Sequence, residues 1–236
     1  YNITRFNMYN SIQIQGSPAK GQSTGNAINE MSRISDEMMK SDLGYAWSGT
    51  SLQEIESTGQ TASVLVMSLV FVYLFLVALY ESWMLPLAVL LISPVALVGA
   101  LFFQYIAGYS LDLYSQIGLV MLIGLSTKQA ILIIEFAKDA HEGGMAIRDA
   151  ALEAARLRFR AVMMTNIAFI LGLLPLVFAK GAGAASRNSV GMTVCGGMLA
   201  VAFVGTFLVP SFFVIIEEFK LYAAQKIKEL KKGKNE

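Results

Sequence analysis

The sequence predicts a multi-pass α-helical membrane protein of five transmembrane helices preceded by an incomplete α/β segment, and three observations lead there. Of the 236 residues, 55% are hydrophobic and only 15% are charged, which is too apolar for an ordinary water-soluble domain. Uncharged apolar runs recur from Ser57 onward, and they reach the roughly 20 residues that a bilayer crossing requires. The stretch before Ser57 is polar and mixed, with the short periodicities of strands and one helix. A net charge of +1 argues against nucleic acid as a partner, because such a partner needs a clear basic excess on one face. The single cysteine, Cys195, lies inside an apolar run, excludes an intrachain disulfide and reads as a small buried hydrophobe.

Residues 1–57 form the first segment. Ser11 to Gln15 alternates Ile12 and Ile14 against glutamines, the two-residue period of a half-buried strand. Gly16 to Gly25 is rich in Gly, Ser and Pro, as a loop is. From Asn26 to Met39, Ala27, Met31, Ile34 and Met38 recur at helical spacing, predicting one buried stripe with Thr24 or Asn26 as the cap. Gly44 to Ser48 reads as a short aromatic strand. Two strands and a helix do not bury a sheet face on their own. Because the chain starts at Tyr1 within such a unit, we expect it to be part of a longer protein whose other segments supply the partner strands.

The spans are expected at about 58–80, 85–107, 113–137, 161–180 and 189–217. Pro86 opens the second, and Pro94 inside it predicts a kink. Residues 138–160 connect the third and fourth spans; Ile147, Ala151, Ala154 and Leu157 share a face there, predicting an interfacial amphipathic helix. A glycine-rich break, Gly181 to Ser186, precedes the fifth span, whose Gly191, Gly196, Gly197 and Gly205 predict close helix contacts. Residues 220–236 are a solvated basic tail. The connector carries Lys138, Arg148, Arg156, Arg158 and Arg160, and the tail Lys220, Lys226, Lys228, Lys231, Lys232 and Lys234, against only Lys180 and Arg187 beside the opposite surface. Excess positive charge marks the connector and tail as cytoplasmic and residues 1–57 as external.

The residue that sets the functional question is Lys128, deep in the third span. It lies ten residues before Lys138, about 15 Å of helix, too far for comfortable snorkelling. A lysine at mid-membrane costs at least about 2.5–3.5 kcal/mol and normally pairs inside a bundle or in a wet cavity. Two readings stand: a cation that merely reaches water, or one whose charge is coupled to transport. The other polar residues at depth are Gln129 and Glu135 on the same span, with Thr165 and Asn166 on the fourth. Arg158 and Thr165 repeat the seven-residue spacing of Lys128 and Glu135, so Lys128 and Thr165 are expected to face a common interior if the two spans are neighbours. Simpler readings exist for each: a Thr165 hydroxyl bonded one turn back, an Arg158 anchored at headgroups, an interfacial Glu135. No Asp or Glu lies deep in any span, so the counter-ion of Lys128 is expected outside this chain.

Four motifs now carry a resemblance: ALYESW at Ala78 to Trp83, GLSTKQAILIIEFAKD at Gly124 to Asp139, RLRFRAVMMTNIAFILGLLPL at Arg156 to Leu176 and GAGAASRNSVG at Gly181 to Gly191. Together they strongly resemble the resistance-nodulation-division multidrug exporters of the hydrophobe/amphiphile efflux (acriflavine-resistance) type. The resemblance implies a bacterial inner-membrane homotrimer with periplasmic porter domains, a periplasmic adaptor protein, an outer-membrane channel and drug–proton antiport, with the proton as coupling ion and no other cofactor or metal. It makes residues 1–57 the end of the porter region, and the five spans the transmembrane helices 8–12 of a parent protomer. In the family a lysine matching Lys128 interacts with aspartates on an earlier span, and Arg158 and Thr165 match further relay residues; Glu135, Gln129 and Asn166 are possible accessories. Ala161 departs from the family pattern, which often has proline there. A heavy-metal exporter of the same superfamily is one alternative, although the adjacent Met163 and Met164 fall on different faces and make a poor ligand pair. A non-transporting membrane scaffold or sensor is another. An enzyme is disfavoured, because His141 has no nucleophile beside it in the sequence.

Overall fold

A computed structural model describes residues 4–18, 23–39, 43–57, 59–181 and 183–232. Parts of the predicted Gly16 to Gly25 loop and of the basic tail, including Lys234, lie outside the described residues. The order is a hairpin of β1 (Thr4–Phe6) and β2 (Tyr9–Ser11), then α1 (Thr24–Met38), α2 (Gly49–Ser57), α3 (Thr61–Tyr80), α4 (Leu85–Leu90), α5 (Ile92–Ala107), α6 (Leu113–Glu142), α7 (Ile147–Val177), α8 (Ala184–Ala200), a π-helical turn at Val201–Gly205 and α9 (Thr206–Lys232). Five helical stretches are long and apolar enough to cross a membrane: α3, α4 with α5, α6, α7, and α8 running into α9.

The first segment differs from its sequence reading in several places. The strands pair antiparallel with Phe6 opposite Tyr9, and the turn places Asn7 and Met8 at positive φ. Ile12 and Ile14 lie beyond the hairpin and are 90% and 76% exposed, because among the described residues no sheet extends over them. Residues 44–48 are extended but unpaired, and Tyr45 meets Trp47 edge to face. The short helix α2, unforeseen in the sequence, starts directly after them at Gly49. Ser23, rather than Thr24 or Asn26, caps α1 by accepting from the Asn26 N–H at 3.0 Å. The expected buried stripe of α1 is exposed at Met31, Ile34 and Met38.

The span bundle is organised around α5, α6 and α8. Gly99 of α5 and Gly197 of α8 let the backbones come within van der Waals contact. A Cβ at Gly197 would lie 2.1 Å from Leu122 Cδ2 and 2.9 Å from the Ala96 carbonyl oxygen, and one at Gly99 would lie 2.1 Å from Ala200 Cβ. Small residues at such crossings replace the hydrophobic drive that lipid cannot supply. Cys195 is buried among them.

The second span breaks at Leu91, three residues before Pro94, since Pro94 has no N–H to donate to the carbonyl four residues back. Pro86 sits in the first turn of α4, where a missing N–H is harmless. The predicted connector at 138–160 is not a separate interfacial helix. α6 continues to Glu142, a tight turn with Gly144 at φ 100° follows, and α7 then runs unbroken through 31 residues from the arginine-rich base into the fourth span. Ala151 and Ala154 are buried on its inner face while Leu157 faces out. The fifth span starts earlier than expected, at Ala184, and α9 carries it into the tail as helix. Just before the tail, Glu217 is only 6% exposed and accepts from Lys220 at 2.6 Å, and Arg148 donates to Glu218 at 3.1 Å, while Lys220, Leu221, Tyr222 and Lys226 of the tail are exposed.

Candidate functional site

Helices α6 and α7 are joined by a short turn and pack along one another antiparallel. Across their interface Gln129 Nε2 donates to Asn166 Oδ1 and lies 3.8 Å from Met198 Sδ of α8. Both amides are buried, Asn166 completely. These two residues fix what their neighbours do. One residue back along a helix is a turn of 100°, and in an antiparallel pair the two turns run in opposite senses seen from one end. The residues preceding Gln129 and Asn166 therefore emerge on the same side of the pair. They are Lys128 and Thr165, and both are exposed.

The expected common interior for Lys128 and Thr165 is thus a common outer face of this bundle. The two helices least covered by the rest of the chain, α3 and α7, flank it: 6% and 11% of their spans are buried, against 56% for α6. On the α3 side, Phe71, Val72, Phe75 and Leu76 line a cleft of about 340 Å³ whose lining has one charged residue, Lys128. Among the described residues no ion pair includes Lys128. An ammonium beside apolar side chains, with no ion-pair partner among the described residues, is a place where an anion can bind.

Arg158 lies two turns below Thr165 on α7 and is half-buried. Its guanidinium stacks over the Phe136 ring of α6 at 3.4 Å, and its Nε is buried without a hydrogen-bond partner. Stacking on an aromatic face holds the guanidinium of Arg158 against α6. The Thr165 hydroxyl donates to the carbonyls of Ala161 and Val162 at 3.1 and 2.9 Å, the local bond expected of a helical threonine. Glu135 faces the Tyr80 hydroxyl of α3, while Lys138 lies 5.8 Å from that ring's centroid. Met163 and Met164 differ in exposure, and among the described residues no cluster of metal-ligating side chains is present.

A second polar group was not legible in the sequence, because its members are far apart along the chain. Asp112 Oδ1 accepts from the Ser115 N–H at 2.7 Å, from the Ser115 hydroxyl at 2.6 Å and from the Ser189 hydroxyl at 2.5 Å. Gln104 Nε2 donates to Ser115 Oγ at 2.5 Å and to Thr193 Oγ1 at 2.8 Å. The group caps α6 and ties it to α5 and α8 at the end away from Lys138. Asp112→Ala in the full-length protein is expected to lower the thermal unfolding midpoint in detergent, the lost cap alone contributing about 1–2 kcal/mol. Asp112→Asn, which keeps an acceptor oxygen, is expected to lower it less.

Residues 1–217 match the profile of the AcrB/AcrD/AcrF family. The chain is 45% identical over 214 residues to the toluene efflux pump membrane transporter TtgB of Pseudomonas putida, a match covering 91% of this chain and 20% of that protein. It is 44% identical over 216 residues to the multidrug resistance protein MdtF of Escherichia coli, covering 91% of this chain and 21% of the relative. To the multidrug export protein AcrF of Escherichia coli it is 43% identical over 215 residues, with the same coverage. The chain spans about a fifth of the length of these relatives.

Proposed function

Because the chain belongs to the AcrB/AcrD/AcrF family, we propose that it is the membrane-anchoring part of an efflux transporter that exchanges protons for drugs and other amphiphilic compounds. The observation that carries this reading is the unpaired Lys128 in an apolar cleft, on the face it shares with Thr165 and Arg158. Carboxylates on a helix from elsewhere in the transporter dock against α3, α6 and α7 and pair with Lys128. Protonation of those carboxylates releases the lysine, and the change in pairing moves the helices. Thr165 and Arg158 complete the relay along α7, with Glu135 an accessory toward its cytoplasmic end. Neutral Gln129 and Asn166 carry no proton themselves.

The transporter works as a homotrimer in the bacterial inner membrane, joined to a periplasmic adaptor and an outer-membrane channel. Residues 1–57 lie on the periplasmic side and the α9 tail on the cytoplasmic side, as the positive charge at the base of α7 and along α9 supports.

The direct test is dye efflux from pump-deficient cells expressing the full-length transporter. Energised cells are expected to extrude the dye, and collapse of the proton gradient by a protonophore at constant ATP is expected to stop extrusion within the assay. Efflux that survives the protonophore, or none at verified membrane expression, overturns the reading.

A further inference from the structure

The contact between Gln129 and Asn166 leaves part of each amide without a partner. Each carboxamide has one acceptor oxygen and a donor NH₂ group. Their single mutual hydrogen bond leaves Gln129 Oε1 and Asn166 Nδ2 buried and unpartnered. Gln129 and Asn166 are 7% and 0% exposed, and Val162, Ile133 and Met198 nearby are packed apolar core. A half-satisfied polar pair in such a place is less stable than two well-packed aliphatic side chains. Stability is therefore a poor reason for these residues, and register is a better one. An apolar interface between two antiparallel helices slides or rotates with little penalty. A directional bond between two short amides does not, because it is made at one height and one rotation only.

We propose that Gln129 and Asn166 are an amide clasp that fixes α6 against α7 at the one register where Lys128, Thr165 and Arg158 share a face, and that they are positioning residues for the relay. The inference rests on the function proposed above and extends it. One residue of slip along α6 moves Lys128 by about 1.5 Å in depth and turns it by 100°, which takes the ammonium off the face that Thr165 occupies. The clasp also ties the pair to the bundle centre, since Gln129 lies against Met198 of α8.

The test uses the full-length transporter with Gln129→Leu, Asn166→Leu, the double leucine variant, and the exchange Gln129→Asn with Asn166→Gln, which conserves the combined length of the two amides. Dye efflux at matched membrane level and the thermal midpoint of the purified protein are both measured. The double leucine variant is expected to keep or raise the midpoint while efflux falls about tenfold, the scale of a misplaced reacting group. Each single variant strands one amide and is expected to lower the midpoint below that of the double. The exchange is expected to restore most of the efflux. Undiminished efflux in the double variant, efflux that falls only in step with the midpoint, or an exchange variant that is stable yet inactive overturns the clasp. Lys128→Ala is run alongside. Its retention of efflux would sink the relay reading itself, whereas its loss together with full activity of the double leucine variant would refute the clasp alone.

Discussion

Lys128→Ala in the full-length transporter is expected to reduce energised efflux to background with no loss of protein from the membrane. Lys128 stands in a cleft walled by the aromatic and aliphatic side chains of α3, and none of its contacts is a bond that the fold of this chain depends on. Removing the ammonium therefore spares the bundle and strands the anion that the proposed function sets against it. Breaking such a pair inside a membrane protein costs about 3–5 kcal/mol when the remaining charge stays buried, or roughly two to three and a half orders of magnitude in any step that needs both charges. Lys128→Arg retains the charge but replaces a compact ammonium by a planar, wider fork, and is expected to leave efflux well below wild type. Both variants are to be assayed at equal membrane level by dye extrusion from pump-deficient cells. Wild-type efflux in both would make Lys128 a structural cation.

The second large effect is on folding. Gly197→Val is expected to remove assembled transporter from the membrane, because its Cβ alone would lie 2.1 Å from Leu122 Cδ2 and 2.9 Å from the Ala96 backbone oxygen. Leu122 can turn away, but the carbonyl belongs to α5 and can yield only if the helix pair separates. Over-packing of this kind typically costs about 1–3 kcal/mol for a single added methylene, and valine adds two methyl groups beyond the Cβ. Gly172→Ala on α7 is the control, since its Cβ would meet nothing within 4 Å; the gain in helix propensity is worth up to about 1 kcal/mol. Membrane yield and the detergent melting midpoint separate the two variants. A Gly197→Val protein that melts like wild type would mean that α5 and α8 do not pack as described.

The five spans were legible because each is an apolar run of bilayer length, a signal that depends on no neighbour. The same holds for the glycines of α8, whose spacing alone announces a close crossing. Reading failed where an element takes its form from something outside its own residues. Ile12 and Ile14 alternate like a strand, yet alternation describes a chain with a sheet to join, and here the hairpin ends at Ser11. The 138–160 stretch has the composition of an interfacial helix, but composition does not reveal that α7 has no break between its base and its span. At the candidate site, Lys128 stood out by depth and charge. Its side of the helix did not, because that follows from the contact between Gln129 and Asn166, two deep polar residues that the sequence marks out but does not bring together. The Asp112 group had no local signature at all beyond an acidic residue three before a serine.

The unbroken course of α7 has a mechanical consequence. Its 31 residues make a rod of about 46 Å, with Thr165 a little past the middle and the Arg148–Glu218 pair at its foot. Between Thr165 and its foot this rod contains no proline or break, and Pro175 lies beyond, near the other end. A tilt imposed at the height of Thr165 is carried along unbroken helix to the foot, beside the turn at Gly143 and Gly144 that joins α7 to α6. The end of the bundle that carries Arg148 and Glu218 is therefore where a movement at Thr165 can be followed from outside.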